Sequence, residues 1–405
     1  IDIYYTYSGA VFKLSHSCKE VLNTVMKVHT ALVINSGMSE FKKAGFALFL
    51  LGFASFSLIY CVQPLLPEFT SSFHIAPSAS ALALSMTTGF LAFSIMLSSA
   101  FSQVLGRKGL MFCSMFLAGL LNIICAISPN WQMLIFSRSI EGFVLGGVPA
   151  VAMAWIVEEI NPKDLSRTMG LYIAGTAFGG MMGRVGMGLL TEIFSWRVSM
   201  AVLGLICLFC ALGFIKLLPD SRNFTQRKAM SLSFHLSAWL GHLKNIQLVR
   251  IYSIGFLMTS VFVTLFNYVT FRFSSAPYNL SQTQISLIFL SYSFGIVSSS
   301  IAGNLADRIG RKPILYFGFI LMLVGVGFTL SESLFYIILG IAIVTTGFFI
   351  AHSIASSNVG ELAQENKGHA ASLYLLFYYL GSSIVGSMSG LIWQKQGWDG
   401  IVILN

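Results

Sequence analysis

Three ionisable residues lie inside long apolar runs: Arg138 and Glu141 in one run, and Arg184 in the next. A charged side chain at the centre of a membrane-inserted helix costs about 2.5 to 3.5 kcal/mol, which makes such residues candidate functional groups. Arg138 and Glu141 are three positions apart and can share one helix face. Burial disfavours a charged carboxylate, whereas a nearby cation favours it. We therefore predict that Glu141 loads and releases a proton as it moves relative to Arg138 or Arg184. A purely structural ion pair is the alternative.

The composition is that of an integral membrane protein. Only 10% of the 405 residues are charged and 56% are hydrophobic, whereas soluble chains carry about 25% charged residues. The net charge of +9 resides in short loops between apolar runs. This distribution indicates topology signals rather than a nucleic-acid partner.

Cofactor chemistry is not predicted. The six Cys and seven His show no disulfide framework and no metal-ligand spacing. No G-x-x-x-x-G-K-[ST] loop is present to hold ATP phosphates. The energy for any work across the membrane is therefore expected to come from an ion gradient.

The apolar runs predict membrane-spanning helices, which need about 20 apolar residues each. The eleven predicted spans are 44–69, 79–103, 109–128, 131–158, 167–193, 197–218, 248–274, 283–305, 313–331, 333–359 and 369–393. A twelfth begins at Gly400 and stops at Asn405, so we expect it to be truncated.

The chain contains an internal repeat. Gly303 to Lys312 has a partial copy at Ser99 to Lys108, an offset of 204 positions (303 minus 99). The same offset relates the starts of the first and seventh spans. We predict two six-helix bundles, 38–218 and an incomplete 248–405, joined by a linker, 219–247, that contains a surface helix at 232–243. Residues 1–37 are predicted to be an extension outside the fold.

Lys and Arg concentrate in one set of alternate loops, which includes both copies of the repeated loop. These loops are therefore predicted to be cytoplasmic.

The segment Gly303 to Lys312 resembles the loop motif between the second and third helices of each half in the major facilitator superfamily. The first copy has Ser99 where Gly is usual and Gln103 where Asp is usual. The resemblance implies a gating latch made by Asp307, Arg308 and Arg311, with Gly303, Gly310 and Arg107 as the other gating candidates. Plain topology signals would explain the basic residues of this loop but not its Gly and Asp residues.

Two further motifs point to the same superfamily. Arg138 to Gly142 resembles its fourth-helix motif. Gly175, Gly179 and Gly183 resemble the glycine-rich fifth helix of the antiporter branches, although the usual Pro is missing between Ala174 and Gly188. Small residues at this spacing also allow close helix packing, which is the structural alternative.

The second half has no acidic residue well inside a span. Its candidate substrate-binding residues are polar or aromatic, although residues of these types more often serve in packing: Asn267, Tyr268, Tyr292, His352 and Tyr378. With two Arg and one Glu, the predicted cavity is neutral to positive, which favours neutral or anionic amphipathic substrates.

These observations predict an all-α polytopic membrane protein with the major facilitator fold. The resemblance implies a secondary transporter of the drug/proton antiporter-like branch, not an enzyme, which exports small amphipathic molecules. We expect a monomer in the cell inner membrane, with protons, lipid and a small-molecule substrate as its partners. A sugar or organic-anion transporter and a non-transporting membrane sensor are the alternatives.

Overall fold

The computed structural model describes residues 4–7, 10–13, 33–101, 106–224 and 231–405. An antiparallel hairpin, β1 (Tyr4–Tyr7) and β2 (Ala10–Lys13), lies near the start. Helices account for nearly all of the rest.

The first half contains nine helices within the described residues. They are α1 (Ser39–Tyr60), α2 (Leu66–Phe73), α3 (Pro77–Ser80), α4 (Leu82–Phe101), α5 (Arg107–Ala126), α6 (Trp131–Leu145), α7 (Gly147–Glu159), α8 (Leu165–Ile193) and α9 (Trp196–Leu217). A 3₁₀ turn, Gln63–Leu65, joins α1 to α2.

The linker and the second half continue this pattern. The linker helix is α10 (Leu232–Lys244), and the later helices are α11 (Ile246–Ser274), α12 (Gln282–Leu287), α13 (Tyr292–Ile309), α14 (Arg311–Phe328), α15 (Leu334–Leu362), α16 (Lys367–Leu380) and α17 (Gly386–Leu404). A π-helical segment, Gly381–Val385, joins α16 to α17.

The predicted all-α polytopic fold is confirmed. Ten helical stretches of the described residues are long and apolar enough to cross a membrane. The fifth predicted span, α8, has 29 residues but is not among the ten. The fourth span is two helices that meet at Gly146, and the last helix continues through a kink at Gly397 to Leu404. Large apolar side chains cover the outside of the bundle, as expected for a lipid-facing surface; Leu323 is 73% exposed.

Polar residues set several helix starts. Asn130 Oδ1 accepts a hydrogen bond from the Met133 amide at the start of α6, and Ser195 caps α9. At α12, Ser281 and Gln284 form a reciprocal capping box. Each cap satisfies amide groups that the first helical turn leaves unpaired.

The glycines of α8 pack directly against α1. A Cβ atom on Gly175 would lie 2.4 Å from the Phe49 carbonyl oxygen, and one on Gly179 would lie 2.2 Å from the Phe53 carbonyl oxygen. Ser57 Oγ donates to the Gly179 carbonyl oxygen at 2.9 Å. The four-residue glycine spacing therefore serves this close backbone approach.

Gly179→Ala is expected to destabilise the protein by about 1–3 kcal/mol, because the added methyl group meets backbone atoms that cannot turn away. Gly186→Ala on the same helix is the matched control, since a Cβ there has nothing within 4 Å. Thermal unfolding in detergent compares them. Equal melting temperatures for the two variants would contradict the packing described here.

The two halves meet along matched helices. The second span packs against α16, and α8 packs against α12. At the end opposite the basic loops, Gln282 Nε2 donates to Glu68 Oε1 at 3.1 Å, and the Thr283 amide donates to Glu192 Oε2 at 2.7 Å. These contacts close that end of the bundle.

The linker contains the expected surface helix, α10. Trp239 Nε1 of α10 donates to Ser372 Oγ of α16 at 3.2 Å, which fixes the helix to the second half. Before α1, Ile34 is fully buried, and its amide donates to the Glu159 carbonyl oxygen at 2.8 Å. The division of the chain at residues 37, 218 and 247 stays a prediction.

Candidate functional site

Arg138 and Glu141 form a fully buried ion pair on α6. Arg138 Nη1 lies 2.7 Å from Glu141 Oε2, and both side chains have no exposed surface. The spacing of three residues along the helix brings the two groups together, as the sequence predicts. Their separation from water strengthens the attraction between the two charges, but the same burial penalises each charge by desolvation.

Backbone carbonyl groups hold Arg138 independently of Glu141. Its guanidinium donates to the carbonyl oxygens of Leu58, Ile59 and Ala83 at 2.8 to 3.3 Å. Leu58 and Ile59 lie in the last turn of α1, where carbonyl groups lack partners within the helix and the helix dipole favours a cation. Arg138 therefore keeps favourable contacts whether Glu141 is charged or neutral.

The second carboxylate oxygen of Glu141 has a different environment. Oε1 is buried, and no described residue provides a hydrogen-bond partner for it. An oxygen left in this state destabilises the ionised form, since a buried charge needs each lone pair satisfied. Protonation at Glu141 would remove that charge while Arg138 stays anchored.

Arg184 occupies a separate part of the bundle. No hydrogen bond or ion pair of the described residues joins it to Glu141. Its guanidinium lies 4.1 Å from the centre of the Tyr60 ring and 4.7 Å from that of Tyr292, which are cation–π distances. It also donates to the Gly180 carbonyl oxygen. The side chain is 2% exposed, and no carboxylate of the described residues pairs with it.

A chain of amide groups connects Arg184 to the second half. Arg184 Nε donates to Gln63 Oε1 at 2.7 Å, and Gln63 Nε2 donates to Asn267 Oδ1 at 2.8 Å. Gln63 and Asn267 are 204 positions apart (267 minus 63), the offset of the internal repeat. Equivalent positions of the two halves therefore meet at the centre of the bundle.

Aromatic side chains continue from Arg184 into the second half. Tyr292 lies 5.5 Å from Phe262, which stacks on Phe348, and Phe348 lies 5.9 Å from His352, all between ring centres. His352 Nδ1 is hydrogen-bonded to Tyr374 at 3.0 Å, and its ring lies 4.8 Å from Tyr378.

Four of the predicted substrate-binding residues belong to this central group: Asn267, Tyr292, His352 and Tyr378. Tyr268 instead donates to the Gly386 carbonyl oxygen at 3.0 Å and lies beside Trp393. It packs against α17.

Comparison with known families settles the class of this protein. The family model described as Major Facilitator Superfamily matches residues 48–386. The chain belongs to the major facilitator superfamily. It is thus a multi-pass membrane transporter and not an enzyme.

Relatives within the superfamily cover most of the chain. It is 43% identical over 369 residues to the MFS-type transporter YybF of Bacillus subtilis strain 168, and the match covers 91% of each chain. It is 39% identical over 372 residues to the inner membrane transport protein YnfM of Escherichia coli strain K12, covering 91% of this chain and 88% of YnfM.

Solved superfamily structures share the fold at low sequence identity. One is a bacterial homologue of the human lysosomal transporter Spinster, in an inward-facing and unoccupied conformation. The TM-score is 0.75 at 13% identity, covering 88% of this chain and 83% of that one. Another is the nucleoside transporter NupG, with a TM-score of 0.75 at 14% identity, covering 89% and 96%.

The repeated loops of this superfamily member have a structural need for glycine. Gly310 has φ +91° and Gly106 has φ +76°, conformations that other residues rarely adopt. Each lies immediately before the helix that follows the loop. A Cβ on Gly303, by contrast, would have nothing within 4 Å.

One arginine of each loop pairs with a glutamate of its own half, whereas Lys108 pairs with Asp220 of the linker at 2.7 Å. Arg107 makes two hydrogen bonds to Glu158, at 2.6 and 3.1 Å, and Arg311 pairs with Glu361. Each pair joins the start of the third span of a half to the end of the fourth. Arg308 is exposed. The Asp307 side chain and Gln103 lie outside the described residues. The gating role of these loops stays a prediction.

Glu158→Gln is expected to destabilise the protein more than Glu361→Gln. Arg107 is 5% exposed and Arg311 is 28% exposed. The first change should cost about 1.5–3 kcal/mol, the range for hydrogen bonds to charged groups. The second should cost at most about 1 kcal/mol, as for an exposed pair. Melting temperatures in detergent measure both, and a larger loss for Glu361→Gln would contradict this ranking.

Sequence reasoning missed four residues that complete the site. Gln63 and Tyr60 contact Arg184, and Glu158 and Glu361 pair with the loop cations. The repeat offset would have found Gln63, since it corresponds to Asn267. The two acids are 203 positions apart (361 minus 158), one position short of that offset.

Proposed function

We propose that this protein is a secondary active transporter of the cell inner membrane that couples proton movement to the export of small amphipathic molecules. The observation that carries the proposal is the environment of Glu141. One carboxylate oxygen is paired with Arg138, and the other is buried without a partner among the described residues.

Proton binding follows from this environment. Ionised Glu141 is stabilised by Arg138 but has one unsatisfied oxygen, whereas protonated Glu141 loses the ion pair and the buried charge together. Because carbonyl groups also hold Arg138, the two states of Glu141 can be close in free energy. A small change of solvent access between alternating conformations would then load the proton on one side of the membrane and release it on the other.

The amphipathic substrate class is supported by the central residues. Arg184 supplies a positive charge, and the aromatic series from Tyr292 to Tyr378 supplies a long apolar wall. Such a combination of few polar groups and many aromatic ones suits drug-sized molecules with one polar end.

Organic-anion transport is the second candidate. Arg184 has no carboxylate partner among the described residues, so an anionic substrate would neutralise a buried cation. A transport assay that includes anionic compounds distinguishes organic-anion transport from the transport of other amphipathic molecules.

Proteoliposomes with an imposed pH gradient test the proposal. With an acidic lumen, protons leave down their gradient, and an antiporter should accumulate its substrate inside. Neutral, anionic and cationic amphipathic compounds form the panel. We expect accumulation that disappears when an ionophore collapses the gradient. If the uptake of every transported compound is independent of the pH gradient, proton coupling is contradicted.

A further inference from the structure

The amide chain at the centre of the bundle has a fixed direction. An Arg side chain can only donate hydrogen bonds, so Gln63 Oε1 must accept from Arg184. Gln63 therefore presents its NH₂ group to Asn267, whose Oδ1 must accept. Asn267 is left with its own NH₂ group as a donor. This assignment follows from the charge of Arg184 and needs no observation of hydrogen positions.

The remaining donor of Asn267 has no acceptor. Asn267 is fully buried, and Nδ2 finds no hydrogen-bond partner among the described residues. Ser85 Oγ, on α4 of the first half, is also buried without a partner in the described part of the chain. Buried polar groups are nearly always hydrogen-bonded, so two unpaired groups in one place call for an explanation.

Both groups border the same small space beside Gly386. A Cβ atom built on Gly386 would lie 3.5 Å from Asn267 Nδ2 and 3.9 Å from Ser85 Oγ. Its nearest neighbour would be Val263 Cγ1 at 3.3 Å. Both polar atoms therefore lie within 4 Å of the point that a side chain at residue 386 would occupy, and glycine leaves that point unfilled. Ser85 comes from the first half, whereas Asn267 and Gly386 come from the second.

We propose that this space, which we call the Gly386 subsite, binds a hydrogen-bond-accepting oxygen of the transported molecule, from a carboxylate or a carbonyl group. This inference rests on the proposed transport of amphipathic molecules and specifies their polar end. Asn267 Nδ2 donates to the oxygen, and the Ser85 hydroxyl can donate as well. The positive charge of Arg184, transmitted through Gln63, favours an acceptor at this end of the chain. An ammonium group has only donors and would oppose Asn267 Nδ2.

Binding of three matched probes to the purified protein tests the Gly386 subsite. Phenylacetate, phenylacetamide and phenethylamine carry the same ring with an anionic, a neutral and a cationic end. We expect the first two to raise the melting temperature saturably and the third to have no effect. Gly386→Ala places a methyl group in this space and should weaken the binding of phenylacetate and phenylacetamide about tenfold or more. Gly327→Ala is the matched control, because a Cβ there has nothing within 4 Å.

Asn267→Asp provides a readout that a merely structural role would not give. One carboxylate oxygen can still accept from Gln63, while the other faces the space and repels an anion. The variant should therefore lose more affinity for phenylacetate than for phenylacetamide.

Three results would overturn the Gly386 subsite: phenethylamine stabilising as well as the acceptors, no stabilisation by either acceptor, or unchanged affinities in Gly386→Ala. Proton coupling is tested separately. If the predicted probe pattern appears but transport ignores the pH gradient, the subsite stands and the coupling proposal fails. If gradient-driven transport is present but Gly386→Ala binds phenylacetate normally, the subsite alone fails.

Discussion

Glu141→Gln protein is expected to exchange substrate across a membrane at close to the wild-type rate but to lose all accumulation driven by a pH gradient. The amide keeps the size of the side chain and can still accept from Arg138 Nη1, which lies 2.7 Å from the carboxylate. It resembles the protonated carboxyl group and cannot release a proton. Counterflow with equal pH on both sides, followed by uptake with an acidic lumen, separates the two activities.

Glu365→Gln is the control for this experiment. Glu365 is an exposed carboxylate of the second half, so the change removes the same charge without touching the central site. It should leave both activities intact. If Glu141→Gln accumulates substrate as the wild type does, the coupling role of Glu141 is wrong. If it loses exchange as well, Glu141 acts in substrate binding or folding.

Arg138→Met is expected to be the most destabilising single change, at about 3–5 kcal/mol. It leaves Glu141 as a buried carboxylate without its cation, and it leaves the last carbonyl groups of α1 without their donor. Met preserves much of the side-chain volume, which keeps the comparison close to a pure loss of charge and hydrogen bonds. Thermal unfolding in detergent should show a large fall in melting temperature.

The double variant Arg138→Met with Glu141→Gln distinguishes loss of the ion pair from general damage. Removing both charges avoids the uncompensated carboxylate, so the double variant should be more stable than Arg138→Met alone. A double-mutant cycle gives the coupling between the two positions. Additive effects would show that the pair contributes no specific interaction, contrary to the geometry.

Much of the fold could be predicted from the sequence because membrane-spanning helices are recognisable from their length and apolar composition. The breaks within the spans are harder to predict from the sequence. The interruption at Gly146 reflects close contact with Ser94 of another helix, where a Cβ would lie 2.3 Å from that of Ser94. The kink at Gly397 depends on a positive φ that many glycines do not use. Both are tertiary features that a hydropathy pattern does not contain.

The central site could be predicted from the sequence only in part. Arg138 and Glu141 are neighbours on one helix, so their spacing alone brings them together. Arg184, by contrast, was expected near Glu141, but it lies beside Tyr60, Gln63 and Tyr292. Its partners come from three different helical segments and depend on how the two halves dock. In the sequence, only the repeat offset indicates this docking, because it relates Gln63 of the first half to Asn267 of the second.

The most direct test of proton coupling at Glu141 is the number of protons released when a transported compound binds to purified protein in weakly buffered detergent solution. The measurement uses a compound identified by the proteoliposome panel, at a pH where wild-type transport is active. We predict release of about one proton per binding event by the wild type and none by Glu141→Gln, with unchanged release by Glu365→Gln. Equal release by Glu141→Gln and the wild type would contradict the assignment of the coupled proton to Glu141.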